Sequence, residues 1–299
     1  VLGSPLQIAG YHFNGSVAPD DCPAYVLSHR RPENQAIQIV VTHGHGSNAL
    51  REEGHCSAMR FAVKPLLCAG FNVLAIDMRN HGRSSDAKPV SLGWHESQDI
   101  LAAVDWLVET KNVTRSQVFL WGMSMGAATT AYAAAQDPSI RAIAIEAPPV
   151  SLGMVLGSWL SAKLPVPSWC LGWLTWWTAF IYTDRPFGRD LLREVRFVQA
   201  KVFHSHGFDD SVVPFENAQA LRKAFLRRPT GAAGYEDFFH HGGHVSSWKY
   251  PETYYPRLLE FFAREAASSQ HLEMRKPFWP LTASLSLRGS FGENAGESL

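Results

Sequence analysis

The sequence has no excess of charge of either sign. Lysine and arginine together number 27, aspartate and glutamate together also number 27, and the formal net charge at pH 7 is therefore zero. Binding to nucleic acid or to a strongly acidic partner calls for a basic surface, so this composition argues against both. With 46% hydrophobic and 18% charged residues in a chain of 299 residues, the composition is that of a globular protein with a sizeable core.

Cysteine is scarce, and its spacing lacks the pairs that mark a metal site. The chain has 4 cysteines and no C-x-x-C pair. Free buried thiols are the favoured interpretation, and a disulfide is the alternative that the sequence leaves open. The residues concerned are Cys22, Cys56, Cys68 and Cys170.

A signal-peptide pattern and internal repeats are also missing from the sequence. The chain begins at Val1, as a trimmed or processed form would, so the compartment stays open, with the cytoplasm favoured. The oligomeric state is left open as well.

Short runs of β-branched and apolar residues alternate with helical patterns along much of the chain. The runs at 36–42, 71–77, 140–145 and 200–205 have the composition of strands buried on both faces. Further helices are predicted over 57–69, 93–110, 215–225 and 251–267, with a last strand over 234–239. This alternation predicts an α/β fold with a doubly wound, mostly parallel sheet, to which residues 1–36 add short strands and loops at one edge.

One short segment, residues 117–129, has the pattern of a strand, a sharp turn and a helix. β-forming residues lead into Gly122-Met-Ser-Met-Gly126, and small, helix-forming residues follow. This is the setting in which G-x-S-x-G forms a nucleophile elbow. The turn exposes the hydroxyl of Ser124 to a base, and the two glycines tolerate the crowding that the turn imposes. A packed Gly-Ser turn without chemistry is the alternative that the motif alone leaves open.

The alternating pattern breaks over residues 147–183, where Lys163 is the one charged residue and five tryptophans occur. Prolines interrupt this stretch and its flanks show no strong basic asymmetry, which argues against a membrane span. We expect residues 147–199 to form an inserted helical cap whose aromatic face lines an apolar substrate pocket. Ordinary core packing and a weak contact with a membrane surface are the alternatives. The candidate substrate contacts are Trp173, Trp176 and Trp177.

Together these features resemble the α/β-hydrolase superfamily over about residues 37–267. Within it, the chain looks most like serine hydrolases of the serine aminopeptidase-like and acylglycerol-lipase-like group. The expected organisation is a core formed by residues 1–146 and 200–267, interrupted by the cap and followed by a loosely ordered tail over 268–299, which is rich in serine and glycine. The motifs that carry the resemblance are His43-Gly44, Asp77-Met-Arg-Asn-His-Gly-Arg-Ser84, Gly122-Met-Ser-Met-Gly126, His206-Gly-Phe-Asp-Asp210-Ser-Val-Val-Pro214 and Gly242-Gly-His244.

In this superfamily the catalytic residues follow one another along the chain as serine, acid and histidine. That order implies Ser124 as the nucleophile, Asp210 as the acid and His244 as the base. The resemblance disfavours three neighbouring residues for these roles, namely Asp209, His240 and His241.

An oxyanion hole needs two backbone N–H donors at the position where the substrate carbonyl becomes negative. One is expected from Met125, directly after the nucleophile, and the other from His45, in the loop after the strand at 36–42. His43 and His45 could instead suggest a metal site, but no clustered carboxylates accompany them, so neither a metal nor a cofactor is expected. Arg79 and His81 match a family segment that is usually structural, and no catalytic role is expected of them.

The activity that the resemblance implies is cofactor-independent hydrolysis of a carboxylic ester through a covalent acyl-enzyme. The tryptophans of the predicted cap favour an apolar or bulky acyl group, so the expected partner is a small-molecule ester or a lipid-like substrate. Amide, peptide and thioester hydrolases use the same triad. A noncatalytic scaffold that binds a partner or a hydrophobic ligand is a further alternative, although such scaffolds usually lose a member of the triad.

Overall fold

The structure is a computed structural model that describes residues 6–14, 18–49, 58–87, 91, 93–150 and 191–273. Within these residues, seven strands form one sheet in the order β1-β3-β2-β4-β5-β6-β7. The pair β1/β3 is antiparallel and the other pairs are parallel, which confirms the prediction of a mostly parallel, doubly wound sheet. The strands are β1 (Gly10–Phe13), β2 (Gln38–Thr42), β3 (Asn72–Ile76), β4 (Val118–Met123), β5 (Ala142–Glu146), β6 (Lys201–Gly207) and β7 (Tyr235–His240).

The described helices lie close to the predicted positions, with two differences in their bounds. The third helix begins at Ser97 rather than at 93, because residues 93–96 form a turn in which the Glu96 carboxylate accepts the N–H of Gly93 at 2.7 Å. The last helix continues to Glu273, so the first residues of the predicted loose tail are helical. The helices are α1 (Ala24–Leu27), α2 (Ala58–Cys68), α3 (Ser97–Lys111), α4 (Met125–Gln136), α5 (Leu191–Glu194), α6 (Phe215–Leu226) and α7 (Pro251–Glu273).

Two hydrophobic clusters lie on opposite faces of the sheet, because successive side chains of a strand point to opposite faces. In β4, Leu120 belongs to the cluster that packs against α3, α4 and α6. Phe119 and Trp121 belong to the cluster that packs against α2 and α7. Every residue of α4 from Met125 to Ala134 is buried, and most of them are small. The helix is therefore closely packed, and this packing fixes the position of its first turn.

Cys22 and Cys68 form a disulfide, so the expectation of free thiols is wrong for this pair. Cys68 is the last residue of α2 and is fully buried, whereas Cys22 lies 46 residues earlier, just before α1. The pairing depends on the packing of these two segments, which the spacing of cysteines along the chain does not reveal. Cys56 and Cys170 lie outside the described residues.

Most of the predicted cap lies outside the described residues, including Trp173, Trp176 and Trp177, and so does the tail from residue 274 onward. The described ends of the cap segment are part of the core, where Val150 and Leu191 are buried in the same cluster as α4. The N–H of Leu191 donates to the carbonyl of Val150 at 3.4 Å. The chain therefore leaves the core and returns to it at one place. In the described part of the molecule, no helix combines the length and apolar character needed to cross a membrane.

Candidate active site

The turn between β4 and α4 holds Ser124 in a strained conformation. Its φ of 53° and ψ of −119° are unusual for a residue with a side chain. The N–H of Ser124 donates to the carbonyl of Glu146, in the neighbouring strand β5, at 2.8 Å. The serine thus stands at the carboxyl edge of the sheet, where α/β folds place their sites. We refer to residues 122–126 as the serine loop.

Both glycines of the serine loop are required by close backbone contacts. A Cβ atom on Gly122 would lie 2.2 Å from the carbonyl oxygen of Gly126. A Cβ atom on Gly126 would lie 2.6 Å from the carbonyl oxygens of Thr42 and His43, in the strand and loop alongside. The crowding that the motif predicts around Ser124 is therefore present, and it excludes any larger residue at either position.

The structure brings Ser124, Asp210 and His244 together from three separate strand ends. The Nε2 atom of His244 lies 2.9 Å from the hydroxyl oxygen of Ser124, and its Nδ1 atom lies 2.7 Å from Oδ2 of Asp210. Because an ionised carboxylate can only accept, the proton sits on Nδ1 and leaves Nε2 as the acceptor for the serine hydroxyl. This arrangement can move a proton from Ser124 to His244.

The carboxylate of Asp210 is buried and held by several donors. Its Oδ1 atom accepts the N–H groups of Val212 and Val213, each at 2.8 Å. Burial alone would raise the pKa of Asp210, but the hydrogen bonds from His244 and these two N–H groups hold it below its ordinary value. Asp210 is therefore a carboxylate near neutral pH.

The neighbouring residues that are alternatives to Asp210 and His244 have other contacts. The carboxylate of Asp209 is exposed and lies 3.8 Å from Nδ1 of His241, which is also exposed. His240 is buried with its Nε2 atom 3.0 Å from the hydroxyl oxygen of Ser247. We refer to residues 241–247, which carry His244, as the histidine loop.

The loop after β2, residues 43–49, passes directly against the serine loop. A Cβ atom on Gly44 would lie 3.2 Å from Cβ of Ser124. The N–H of Met125 opens α4 and has no partner within its helix. Among the described residues, no acceptor pairs with the N–H of Met125 or with that of His45. Because the N–H of His45, one of the two predicted oxyanion donors, belongs to this loop, we refer to residues 43–49 as the oxyanion loop.

His43 fastens the oxyanion loop to the segment after β3. Its Nδ1 donates to the carbonyl of Gly44 at 2.8 Å, and its Nε2 accepts the N–H of Met78 at 3.1 Å. Burial lowers the pKa of His43 to about 4, so the ring is neutral near pH 7 and can accept at Nε2. Sequence reasoning considered this residue for a metal site and did not foresee this structural role.

His81 and Asp77 hold the same loop at two further points. The Nε2 atom of His81 accepts the N–H of Gly46 at 3.2 Å, and its Nδ1 atom lies 2.8 Å from the carbonyl of Arg79. A carboxylate oxygen of Asp77 accepts the N–H of Ala49 at 2.6 Å. The positions of these residues directly after β3 were the available signal in the sequence, but their partners lie in another loop.

A cavity of about 480 Å³ adjoins Ser124 and His244. The rings of Phe61 and Trp248 stack in its wall with their centroids 4.2 Å apart. Its volume and aromatic lining are typical of sites for small organic molecules. The other aromatic residues of the wall are Trp121, Tyr254 and Tyr255.

Comparison with known proteins gives a family and several distant relatives. Human protein ABHD12B is 28% identical over 189 residues, which cover 61% of this chain and 48% of that protein. The uncharacterized protein YqkD of Bacillus subtilis is 32% identical over 168 residues, covering 55% and 46%. The chain thus spans less than half the length of either curated relative.

Among solved structures, the esterase Pf2001 of Pyrococcus furiosus superposes with a TM-score of 0.60 at 24% identity, over 78% of this chain and 84% of that one. The family model described as the alpha/beta hydrolase fold matches residues 39–239. This span contains β3 to β6 in full and all but one residue each of β2 and β7, together with Ser124 and Asp210. With two thirds of its length matched in this way, the chain belongs to the α/β-hydrolase family.

Proposed function

We propose that this protein is a serine hydrolase that cleaves a carboxylic ester. The observation that carries the proposal is the position of His244, within hydrogen-bonding distance of both Ser124 and Asp210. A nucleophile, a base and an acid in this relation form the unit that acyl transfer requires. Family membership supports hydrolysis, and the ester is our choice among the bonds that such a unit can cleave.

In the first half of the reaction, the hydroxyl oxygen of Ser124 attacks the acyl carbon while Nε2 of His244 takes the hydroxyl proton. The carbonyl oxygen becomes negative and is held by the N–H groups of Met125 and His45. When the intermediate collapses, the bond to the alcohol breaks and His244 gives its proton to the leaving oxygen. Asp210 keeps His244 in the required tautomer and stabilises the imidazolium in between.

In the second half, water attacks the acyl-enzyme and gives its proton to His244. The second tetrahedral intermediate expels the oxygen of Ser124, which takes the proton back, and the carboxylic acid is released. No cofactor is needed for either half, because the proton taken in each step is returned within it.

We further propose an apolar acyl group of moderate size. The cavity beside Ser124 has aromatic walls, and an apolar group gains free energy by leaving water for such a surface. Trp173, Trp176 and Trp177 of the predicted cap are proposed as additional contacts with this group.

The test compares the wild-type protein with Ser124→Ala and with Ser28→Ala, which changes an exposed serine remote from the site. A fluorophosphonate probe should label the wild type and Ser28→Ala but not Ser124→Ala. A chain-length series of p-nitrophenyl esters should show an optimum, and turnover should fall by about 10⁴-fold or more in Ser124→Ala.

Labelling that persists in Ser124→Ala would contradict the assigned nucleophile. An amide and a thioester of the optimal acyl group are assayed beside the esters. If either is hydrolysed with a higher kcat/KM than the ester, the triad stands and the proposed ester substrate is wrong.

A further inference from the structure

Glu146 connects the serine loop with the histidine loop, although it belongs neither to the G-x-S-x-G motif nor to the proposed mechanism. It is the last residue of β5, and its carbonyl accepts the N–H of Ser124 at 2.8 Å. The residue is 3% exposed and lines the same cavity as Ser124 and His244. A buried carboxyl group in this position needs partners, since a charge without them would be costly to bury.

The carboxyl group of Glu146 finds its partners in the histidine loop and in α7. Its Oε1 atom accepts the N–H of Ser247 at 2.9 Å, three residues after His244. Its Oε2 atom lies 3.4 Å from the hydroxyl of Tyr254, which donates to it. One residue therefore binds the serine loop through its main chain and the histidine loop through its side chain.

The histidine loop needs such an anchor because its backbone is strained. Val245, directly after His244, has a φ of 47°, which is unfavourable for a β-branched residue. A conformation of this kind persists only when surrounding contacts hold it. The bond from Ser247 to Glu146 is one of these contacts, and the bond from His244 to Asp210 is another.

In its ionised form, Glu146 also interacts electrostatically with His244. The titratable groups that face its carboxyl group are His244, Tyr254 and Tyr255. Burial raises the pKa of Glu146, whereas the hydrogen bonds from Ser247 and the charge of a protonated His244 lower it. The influence is mutual, so an ionised Glu146 favours the imidazolium form of His244. Because Asp210 lies at Nδ1 of His244 and Ser124 at Nε2, the carboxyl group of Glu146 acts on the ring without a hydrogen bond to it.

We propose that Glu146 is ionised and is a positioning residue for His244: it anchors the histidine loop to the serine loop, and its charge stabilises the imidazolium. This inference rests on the proposed function, because it presupposes proton transfer from Ser124 to His244.

The variant Glu146→Gln tests the proposal, since it keeps the size of the side chain and an oxygen that accepts the N–H of Ser247 but removes the charge. The matched control is Glu265→Gln, because Glu265 is a buried carboxyl group in α7 whose pKa is also raised by burial and which does not line the cavity. The readouts are the pH dependence of kcat/KM and of the rate of inactivation by a fluorophosphonate.

In Glu146→Gln we expect the plateau of both profiles to fall about 10-fold with little change in KM, because an electrostatic contribution to the imidazolium is lost. The midpoint of the acid limb should move about half a pH unit lower, because removal of a negative charge makes protonation of His244 less favourable. Glu265→Gln should match the wild type in both respects. Glu146→Asp, which keeps the charge, should keep the acid limb at its wild-type position.

An acid limb of Glu146→Gln that coincides with that of the wild type would overturn the proposal, and so would a shifted limb in Glu146→Asp. Thermal unfolding of each variant establishes that it is folded before the profiles are compared. Inactivation by the fluorophosphonate needs no ester substrate. A wild type that is not labelled at Ser124 therefore refutes the proposed function, whereas a labelled protein with an unmoved limb refutes the role of Glu146 alone.

Discussion

The serine loop and the histidine loop face each other across the site, yet they are held in place by different means. The serine loop is fixed by close backbone packing, in which Gly122 touches Gly126 and α4 lies flat on the sheet. The histidine loop is open at Gly243, where a Cβ atom would have no neighbour within 4 Å, although at Gly242 a Cβ atom would lie 2.6 Å from Oγ of Ser246. It is held by side-chain hydrogen bonds from other strand ends, through Asp210 and Glu146.

This difference determines which changes each loop tolerates. A closely packed backbone has no space for an added atom, so the serine loop should be sensitive to larger residues. A loop tied by a few polar side chains should be sensitive to the loss of a bond or charge, and tolerant of added volume at an open position such as Gly243. The first loop can be recognised from a short motif, whereas the second depends on partners that are distant in the sequence.

The largest effect is expected when the histidine loop loses the acid that orients its imidazole. Asp210→Asn keeps the size of the side chain but presents no carboxylate to Nδ1 of His244, so the ring is no longer held in the required tautomer. We expect kcat to fall about 10⁴-fold. Asp209→Asn, the adjacent exposed residue, should retain wild-type kcat. Equal losses in the two variants would show that the difference in burial between these carboxylates has no functional meaning.

The packing of the serine loop is tested by adding one methyl group. Gly122→Ala places a Cβ atom 2.2 Å from the carbonyl oxygen of Gly126, and we expect it to lower the free energy of unfolding by about 3 kcal/mol. Gly243→Ala makes the same change in the histidine loop, where the space is open, and should stay within about 0.5 kcal/mol of the wild type. Urea denaturation of both variants measures the difference, and a serine loop that accepts alanine without loss would contradict the packing argument.

His43, which fastens the oxyanion loop beside the serine loop, should make a smaller and pH-dependent contribution to the free energy of unfolding. Burial lowers its pKa in the folded state to about 4, whereas an unfolded histidine has a pKa of about 6.5. The unfolded state therefore binds a proton first as the pH falls through 6.5, and the folded state loses stability until about pH 4. Between pH 7.5 and pH 5 this residue should account for a loss of about 2 kcal/mol.

Urea denaturation of His43→Asn at the two pH values should show a weaker pH dependence than the wild type by that amount. The exposed His241 provides the control, and His241→Asn should keep the wild-type dependence. A dependence that is unchanged in His43→Asn would mean that His43 is not held neutral in the folded protein.

The parts of the molecule that the sequence predicts well are those determined over short distances. The strands are runs of apolar, β-branched residues, and the serine loop combines such a run with two glycines and a helix. The sequence could also have singled out Glu146, because it is an acidic residue at the carboxyl end of an apolar strand.

What the sequence does not reveal is which strand ends meet. The bond between Glu146 and Ser247, the fastening of the oxyanion loop by His43, and the disulfide of Cys22 with Cys68 all join segments that are far apart along the chain. Each depends on strand order and helix packing, which a single sequence does not determine. The substrate contacts proposed for the tryptophans of the cap stay a prediction, since those residues lie outside the described part of the chain.

The hydrogen bond that joins Leu191 to Val150 gives this architecture a modular character. When a segment begins and ends at neighbouring backbone positions, the geometry of the core does not depend on how many residues lie between them. The entropic cost of closing a longer connection also grows only slowly with its length. We therefore expect the sheet, and the contacts of His244 with Ser124 and Asp210, to persist when residues 151–190 are exchanged as one segment.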